Sequence, residues 1–216
     1  MEDNKLVLYS YFRSSCSWRV RIALALKNID YESRFINLVK GEHLSESYVK
    51  LNPCGEVPAL VTGTGQTITH SVAILEYLEE TVPLPPLLPQ DSVLRAQVRA
   101  IVDTIASGIQ PIQNMKVLKY VGQDSQQWAK HWIQKGFVSL EKILGETHGQ
   151  YCVGDALTMA DVCLLPQIYN ANRFAVDMSQ FPLIAEIASR LSELDAFRLT
   201  RPENQPDCPE ELKRHK

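Results

Sequence analysis

Along the first 80 residues the hydrophobic pattern changes period several times, and beyond that stretch it stays helical. Residues 5–12 (KLVLYSYF) are β-rich and apolar enough for a buried strand, while residues 14–28 carry Val20, Ile22, Ala23 and Leu26 at helical spacing. Residues 31–38 predict a second strand, and residues 43–51 a short helix closed by Asn52-Pro53. Residues 57–61 (VPALV) hold a proline inside a strand pattern, which predicts an edge position or a special backbone, a cis peptide included. Gly63-Thr64-Gly65 then turns the chain, residues 67–69 form a short strand, and Ser71 is placed to cap a helix over residues 72–80. The order is β-α-β-α-β-β-α.

Pro83, Pro85, Pro86 and Pro89 cannot continue a helix, so the chain is divided there: one domain over 1–83, a proline-rich linker over 84–90, and an all-helical domain over 91–216. Residues 91–121 read as one long helical stretch with Pro111 as a break or kink, and 126–146 as an amphipathic helix through Trp132, Phe137, Leu140 and Leu144. Two more helices are expected over 159–173 and 182–197, and the last nineteen residues, rich in proline and charge, as a surface tail. Thr158 and Asp161 have the spacing of a capping box, with Leu157 and Val162 as its hydrophobic staple, and are assigned to folding. No repeat of solenoid period is visible.

Composition narrows the classes. Hydrophobic residues are 45% and charged residues 22% of the 216, which disfavours disorder. A net charge of -3 provides no strong basic field for nucleic acid or an anionic membrane, and no apolar run approaches the ~18 residues of a transmembrane helix. The opening MEDNKLVLYS lacks the marks of a leader, so a cytoplasmic protein is expected. Five scattered cysteines without a C-x-x-C pair favour neither a disulfide framework nor a metal site.

Candidate chemistry gathers where the first strand meets the first helix. Ser14-Ser15-Cys16-Ser17 places hydroxyls and a thiol where helix amides and the dipole would stabilise an anion, although one serine could simply be an N-cap. Cys16 reads either as a thiol activated by the dipole and by Arg13 or Arg19, or as a small buried hydrophobe. Arg19 occupies the position where a thioredoxin-type resolving cysteine would stand. Of Arg19 and Arg21, one is expected in an internal ion pair and the other in solvent. His70 could hold a carboxylate or cap the following helix, and Arg173 could face its helix dipole or bind an anion.

The run SSCSWRVRIAL (14–24) resembles the signature of the zeta-class glutathione transferases, the maleylacetoacetate isomerases. Supporting segments are Val57-Pro58-Ala59-Leu60, His70-Ser71, IQPIQN (109–114), YCVGD (151–155) and Asn172-Arg173-Phe174, so the likeness spans essentially the whole chain. The resemblance implies the two-domain glutathione transferase fold, an α/β thioredoxin-like domain that binds glutathione followed by an all-α domain for the second substrate. It implies that Ser14 donates to the glutathione sulfur with Ser15, Cys16, Ser17 and Arg19 nearby, and that the Val57 backbone pairs with the cysteinyl part. Ser71 and His70 would receive the γ-glutamyl carboxylate, although relatives commonly carry Gln or Glu in place of His70. His43 would approach the glycine end, Gln110 and Asn114 would lie near the mouth, and Arg173 would pair with a substrate carboxylate.

The implied reaction is isomerisation of maleylacetoacetate to fumarylacetoacetate in tyrosine and phenylalanine breakdown, with glutathione attack on small α-haloacids as a secondary activity. A homodimer is implied as well. Tyr9 and Tyr11 leave a tyrosine-assisted variant open, and no residue is assigned to stabilise the enolate. The rivals are a general glutathione-conjugating enzyme, a thiol-disulfide oxidoreductase using Cys16, and a non-catalytic module of the same fold.

Overall fold

A computed structural model describes residues 5–213. Met1–Asn4, on which the reading of the N-terminus partly rests, and the last three residues of the expected tail lie outside the described residues. The chain divides into two compact units, one running to Pro85 and resuming at Asp195, the other spanning Pro86–Leu194.

The first unit is built on a four-stranded sheet of order β2-β1-β3-β4, with β1 Leu6–Ser10, β2 Tyr31–Phe35, β3 Ala59–Val61 and β4 Thr67–Thr69. β1 runs parallel to β2 and antiparallel to β3, which is antiparallel to β4. Between the strands lie α1 Ser15–Leu26 and α2 Glu46–Leu51, and after them α3 Ser71–Thr81. The β-α-β-α-β-β-α order therefore holds. Two details differ. β2 stops at Phe35, and β3 is an interior strand that begins only after the Val57-Pro58 bond, which is cis; the proline costs the ladder no donor because it precedes the ladder.

α1 is buried from Ser17 through Leu24 on nearly every face, which explains its weak amphipathic pattern. Its C-terminal Lys27 donates from Nζ to Glu79 Oε2 at 2.8 Å and to the carbonyls of Val82 and Pro85 at 2.7 and 3.0 Å, tying the end of α1 to the end of α3.

The second unit is helical: α4 Ser92–Asp103, α5 Met115–Val121, α6 Ser125–Thr147, α7 Met159–Arg173 and α8 Pro182–Glu193. The helical stretch expected over 91–121 with a break at Pro111 is four pieces, because α4 passes into a π-helical turn (Thr104–Ile109) and then, at Pro111, a 3-10 turn (Gln110–Gln113) before α5 starts. Pro111, lacking an N–H, sits in the first turn of the 3-10 segment, where no donor is needed. α7 forms the unit's interior and is buried from Met159 through Ile168. Its start is held as the spacing implied: Asp161 Oδ2 accepts from the Thr158 N–H and hydroxyl at 2.8 and 2.9 Å, while Oδ1 accepts from the Cys152 N–H at 2.9 Å.

The expected linker and tail both need correction. Leu87 and Leu88 are buried, and the Leu87 carbonyl accepts from the Met159 N–H at 2.8 Å, so Pro86–Pro89 belongs to the helical unit. The helix expected over 182–197 ends at Glu193, and α9 Asp195–Leu199 with the segment after it packs into the N-terminal unit, where Phe197 and Cys208 are buried. Polar composition suggested a surface tail; Thr200, Pro202 and Cys208 are instead buried in that unit, while Leu199 and Leu212 stay exposed.

Candidate active site

Sheet register decides what meets at one end of the first unit. Tyr9 pairs with Ala59, and Ala59 with Thr69, in a single row across β1, β3 and β4. The chain after β1 (Tyr11–Ser14), the residues before β3 (Val57-Pro58) and those after β4 (His70-Ser71) therefore leave the sheet at the same end. The end of β2 joins them, since Ser10 pairs with Phe35 and the Ile36 N–H donates to the Ser10 carbonyl at 2.9 Å.

At this end α1 begins. Ser14 is its N-cap, with extended backbone, and Ser14 Oγ accepts the Ser17 N–H at 3.1 Å. A hydroxyl that accepts still has its proton to donate, so capping and anion binding are compatible. The amides of Ser15 and Cys16, at the first two helical positions, have no intrahelical carbonyl to bond. Ser14 and Cys16 are partly exposed, whereas Ser15 and Ser17 are buried.

The loop carrying Ser14 is held by groups distant in sequence. The Ser14 N–H donates to the Tyr11 carbonyl at 3.0 Å, and the Phe12 N–H to Asp207 Oδ2 at 2.8 Å. Arg21 donates from Nη1 to Ser10 Oγ (3.0 Å), from Nη2 to the Phe12 carbonyl (3.0 Å) and from Nε to the Thr200 carbonyl (3.3 Å). Burial lowers its pKa to about 10, so it remains charged at neutral pH. Trp18 Nε1 donates to Thr200 Oγ1 at 2.9 Å. Asp207 and Thr200 thus position the loop, and sequence reasoning missed both; a signal for them exists only in three dimensions.

The expectation that one of the two arginines is solvated fails: Arg19 and Arg21 are each 1% exposed, with all three Arg21 nitrogens on hydroxyl or carbonyl oxygens and only Nη1 of Arg19 so engaged. Arg19 Nη1 donates to Ser71 Oγ at 3.1 Å. Ser71 is accordingly not a cap; it is the first residue of α3, and the N-cap position is taken by His70, at φ 65 and without a side-chain capping bond. His70 Nε2 lies 3.9 Å from Cys54 Sγ, and both side chains are exposed. His43 sits where its carbonyl would meet a Cβ on Gly55 at 3.2 Å, and Gly55 has φ 58, so glycine allows this approach. Of the two tyrosines left open, Tyr9 accepts at its hydroxyl from Arg34 Nη1 at 2.9 Å, and Tyr11 is buried in an apolar cluster with Phe12, Tyr48, Val57 and Cys208. The five cysteines are free thiols.

The remaining candidates belong to the helical unit. Gln110 opens the 3-10 turn, and Asn114 caps α5, accepting the Lys116 N–H at 3.2 Å. Arg173 is the last residue of α7, is exposed, and lays its guanidinium 5.1 Å from the Phe174 ring centroid.

Comparison with known proteins gives two matches along the chain. The glutathione S-transferase N-terminal domain matches residues 13–81 and the C-terminal domain residues 112–197. The chain belongs to the glutathione S-transferase family. Within this family it is 58% identical to the maleylacetoacetate isomerase of Mus musculus over 216 residues, covering 99% of this chain and all of that one. A maleyl pyruvate isomerase described as a bacterial zeta-class glutathione S-transferase superposes with a TM-score of 0.91 at 41% identity, over 94% of this chain and 100% of that one. The maleylacetoacetate isomerase of Anaeromyxobacter dehalogenans, solved with glutathione in its active site, superposes with a TM-score of 0.87 at 40% identity, over 95% and 98% of the two chains.

The transferase unit's own groups fit that tripeptide. Ser14 accepts at the cap and keeps its own proton, Val57 lies outside the ladder that starts at Ala59, and α3 opens with Ser71 backed by a buried arginine whose Nε and Nη2 have no partner.

Proposed function

We propose that this protein is a glutathione-dependent cis-trans isomerase that converts maleylacetoacetate to fumarylacetoacetate. The observation that carries the reading is Ser14, which caps α1 through its oxygen and keeps its proton for an anion at the helix start. Full-length identity to the mouse isomerase supports it. Bound there, glutathione supplies a thiolate that adds to the conjugated cis double bond, lets the resulting single bond rotate, and is released unchanged as the trans bond forms.

The chain's part is to keep the sulfur ionised and to hold the reactants. Ser14 donates to the sulfur, and the amides of Ser15 and Cys16 with the dipole of α1 favour its anion. Val57 aligns the cysteinyl segment through its backbone, Ser71 and His70 take the γ-glutamyl carboxylate, and His43 faces the glycine end. The helical unit contributes Arg173 for a substrate carboxylate, with Gln110 and Asn114 assigned to the mouth. A redox role for Cys16 lacks its resolving partner, because the third residue onward is the buried Arg19. We also assign a cytoplasmic homodimer, on family likeness. Sedimentation of the purified protein at monomer mass removes the dimer.

The deciding experiment incubates the protein with maleylacetoacetate, with and without glutathione, following cis-to-trans conversion and free glutathione together. Conversion that requires glutathione without consuming it, abolished mainly in Ser14→Ala and weakened in Arg173→Ala, is the expected result. Net glutathione consumption points to a conjugating enzyme, and loss confined to Cys16→Ala points to redox chemistry.

A further inference from the structure

Arg19 lies on α1 and is 1% exposed, yet only one nitrogen of its guanidinium is engaged, Nη1 on Ser71 Oγ at 3.1 Å. Nε and Nη2 are buried without an acceptor, and among the described residues no carboxylate lies within ion-pairing distance of the group. A guanidinium withheld from water without a counter-charge is costly. Arg21, two residues on, shows the alternative: all three of its nitrogens are bonded to oxygens.

The imbalance has a direction. Ser71 opens the eleven-residue α3, whose first amides carry the positive end of the helix dipole and receive no side-chain cap from His70. Because Ser71 Oγ accepts from Arg19, its own proton is left to donate to something else. Positive charge, dipole and hydroxyl therefore act together at one helix start, and the missing member is an anion.

We infer that Arg19 is the buried counter-charge for the γ-glutamyl carboxylate of glutathione, a positioning residue that acts through the Ser71 hydroxyl and makes this end of the ligand the one that must be charged. The inference rests on the glutathione reading above. Arg19 sets the direction of the Ser71 O–H and the field behind it.

Calorimetric titration of the full chain tests this with three ligands: glutathione, an analogue whose γ-glutamyl α-carboxylate is a primary amide, and a control with the amide at the glycyl end. The wild type is expected to prefer glutathione over the first analogue by about 100-fold. In Arg19→Met that ratio falls to about fivefold or less while the glycyl-end ratio is unchanged, and Arg19→Lys, which keeps the charge, recovers most of it. Ser71→Ala covers the case in which Arg19→Met does not fold: Arg19 stays in place, and discrimination at the γ-glutamyl end must still drop. A folded Arg19→Met that keeps the wild-type ratio, an Arg19→Lys no better than Arg19→Met, or a Ser71→Ala with full discrimination each overturns the role of Arg19. A wild type that binds no glutathione overturns the functional reading instead.

Discussion

Ser14 accepts the Ser17 N–H at 3.1 Å and retains one proton, so removing its hydroxyl subtracts two separable things. Ser14→Ala is expected to cost about 1 kcal/mol of stability through the lost cap and about 100-fold or more in kcat/KM through the lost donor. Ser14→Asp restores the cap acceptor but sets a negative charge beside the sulfur, so it should recover the melting temperature and not the rate. If both properties return together in Ser14→Asp, the hydroxyl acts only as a cap. The serine run itself was legible because helix starts are local in sequence. The arginines were not: on a sequence basis a charged side chain on an apolar helix looks half-solvated, and only packing shows that Arg21 spends its donors on Ser10, Phe12 and Thr200. Ser71 was misjudged for the same reason, because its oxygen is claimed by a side chain 52 positions away.

Helices were readable as helices and unreliable in their continuity. The start of α7 is governed by Thr158 and Asp161, three residues apart, and its capping box formed as the spacing implied. The stretch after α4 depends on a neighbour instead. A Cβ on Gly136 in α6 would stand 2.3 Å from Ile109 Cγ1, at the end of the π-helical turn that precedes Gln110. Gly136→Ala is therefore expected to displace Ile109 and to destabilise the helical unit by about 1–3 kcal/mol, read from thermal unfolding. It should also alter the protection of the 104–113 amides in hydrogen exchange. Unchanged exchange across that turn would mean that Ile109 moves aside freely and that the glycine is not what shapes this segment. Glycine inside a helix lowers helix propensity wherever it occurs, so its packing role at 136 carries no separate mark in the sequence.

At the scale of the molecule, the N-terminal unit is discontinuous: it closes only when the segment from Asp195 returns with Phe197, Thr200, Asp207 and Cys208. A chain ending at residue 194 is expected to lose protection of the α1 amides and glutathione binding together, since the Trp18, Arg21 and Phe12 contacts vanish with it. Retention of both by the shortened chain would show that these contacts are dispensable. The sequence by itself determined the order of elements in the first domain, the serine cluster and the family, because periodicity, caps and contiguous motifs are properties of neighbouring residues. Only the tertiary structure decided that the last helix belongs with the first domain, that Arg19 and Arg21 are buried, and that the ends of β1, β3 and β4 bring Ser14, Val57 and Ser71 to one end of the sheet. Those outcomes depend on strand register and on burial, which are set by partners far along the chain and leave no periodic trace in it.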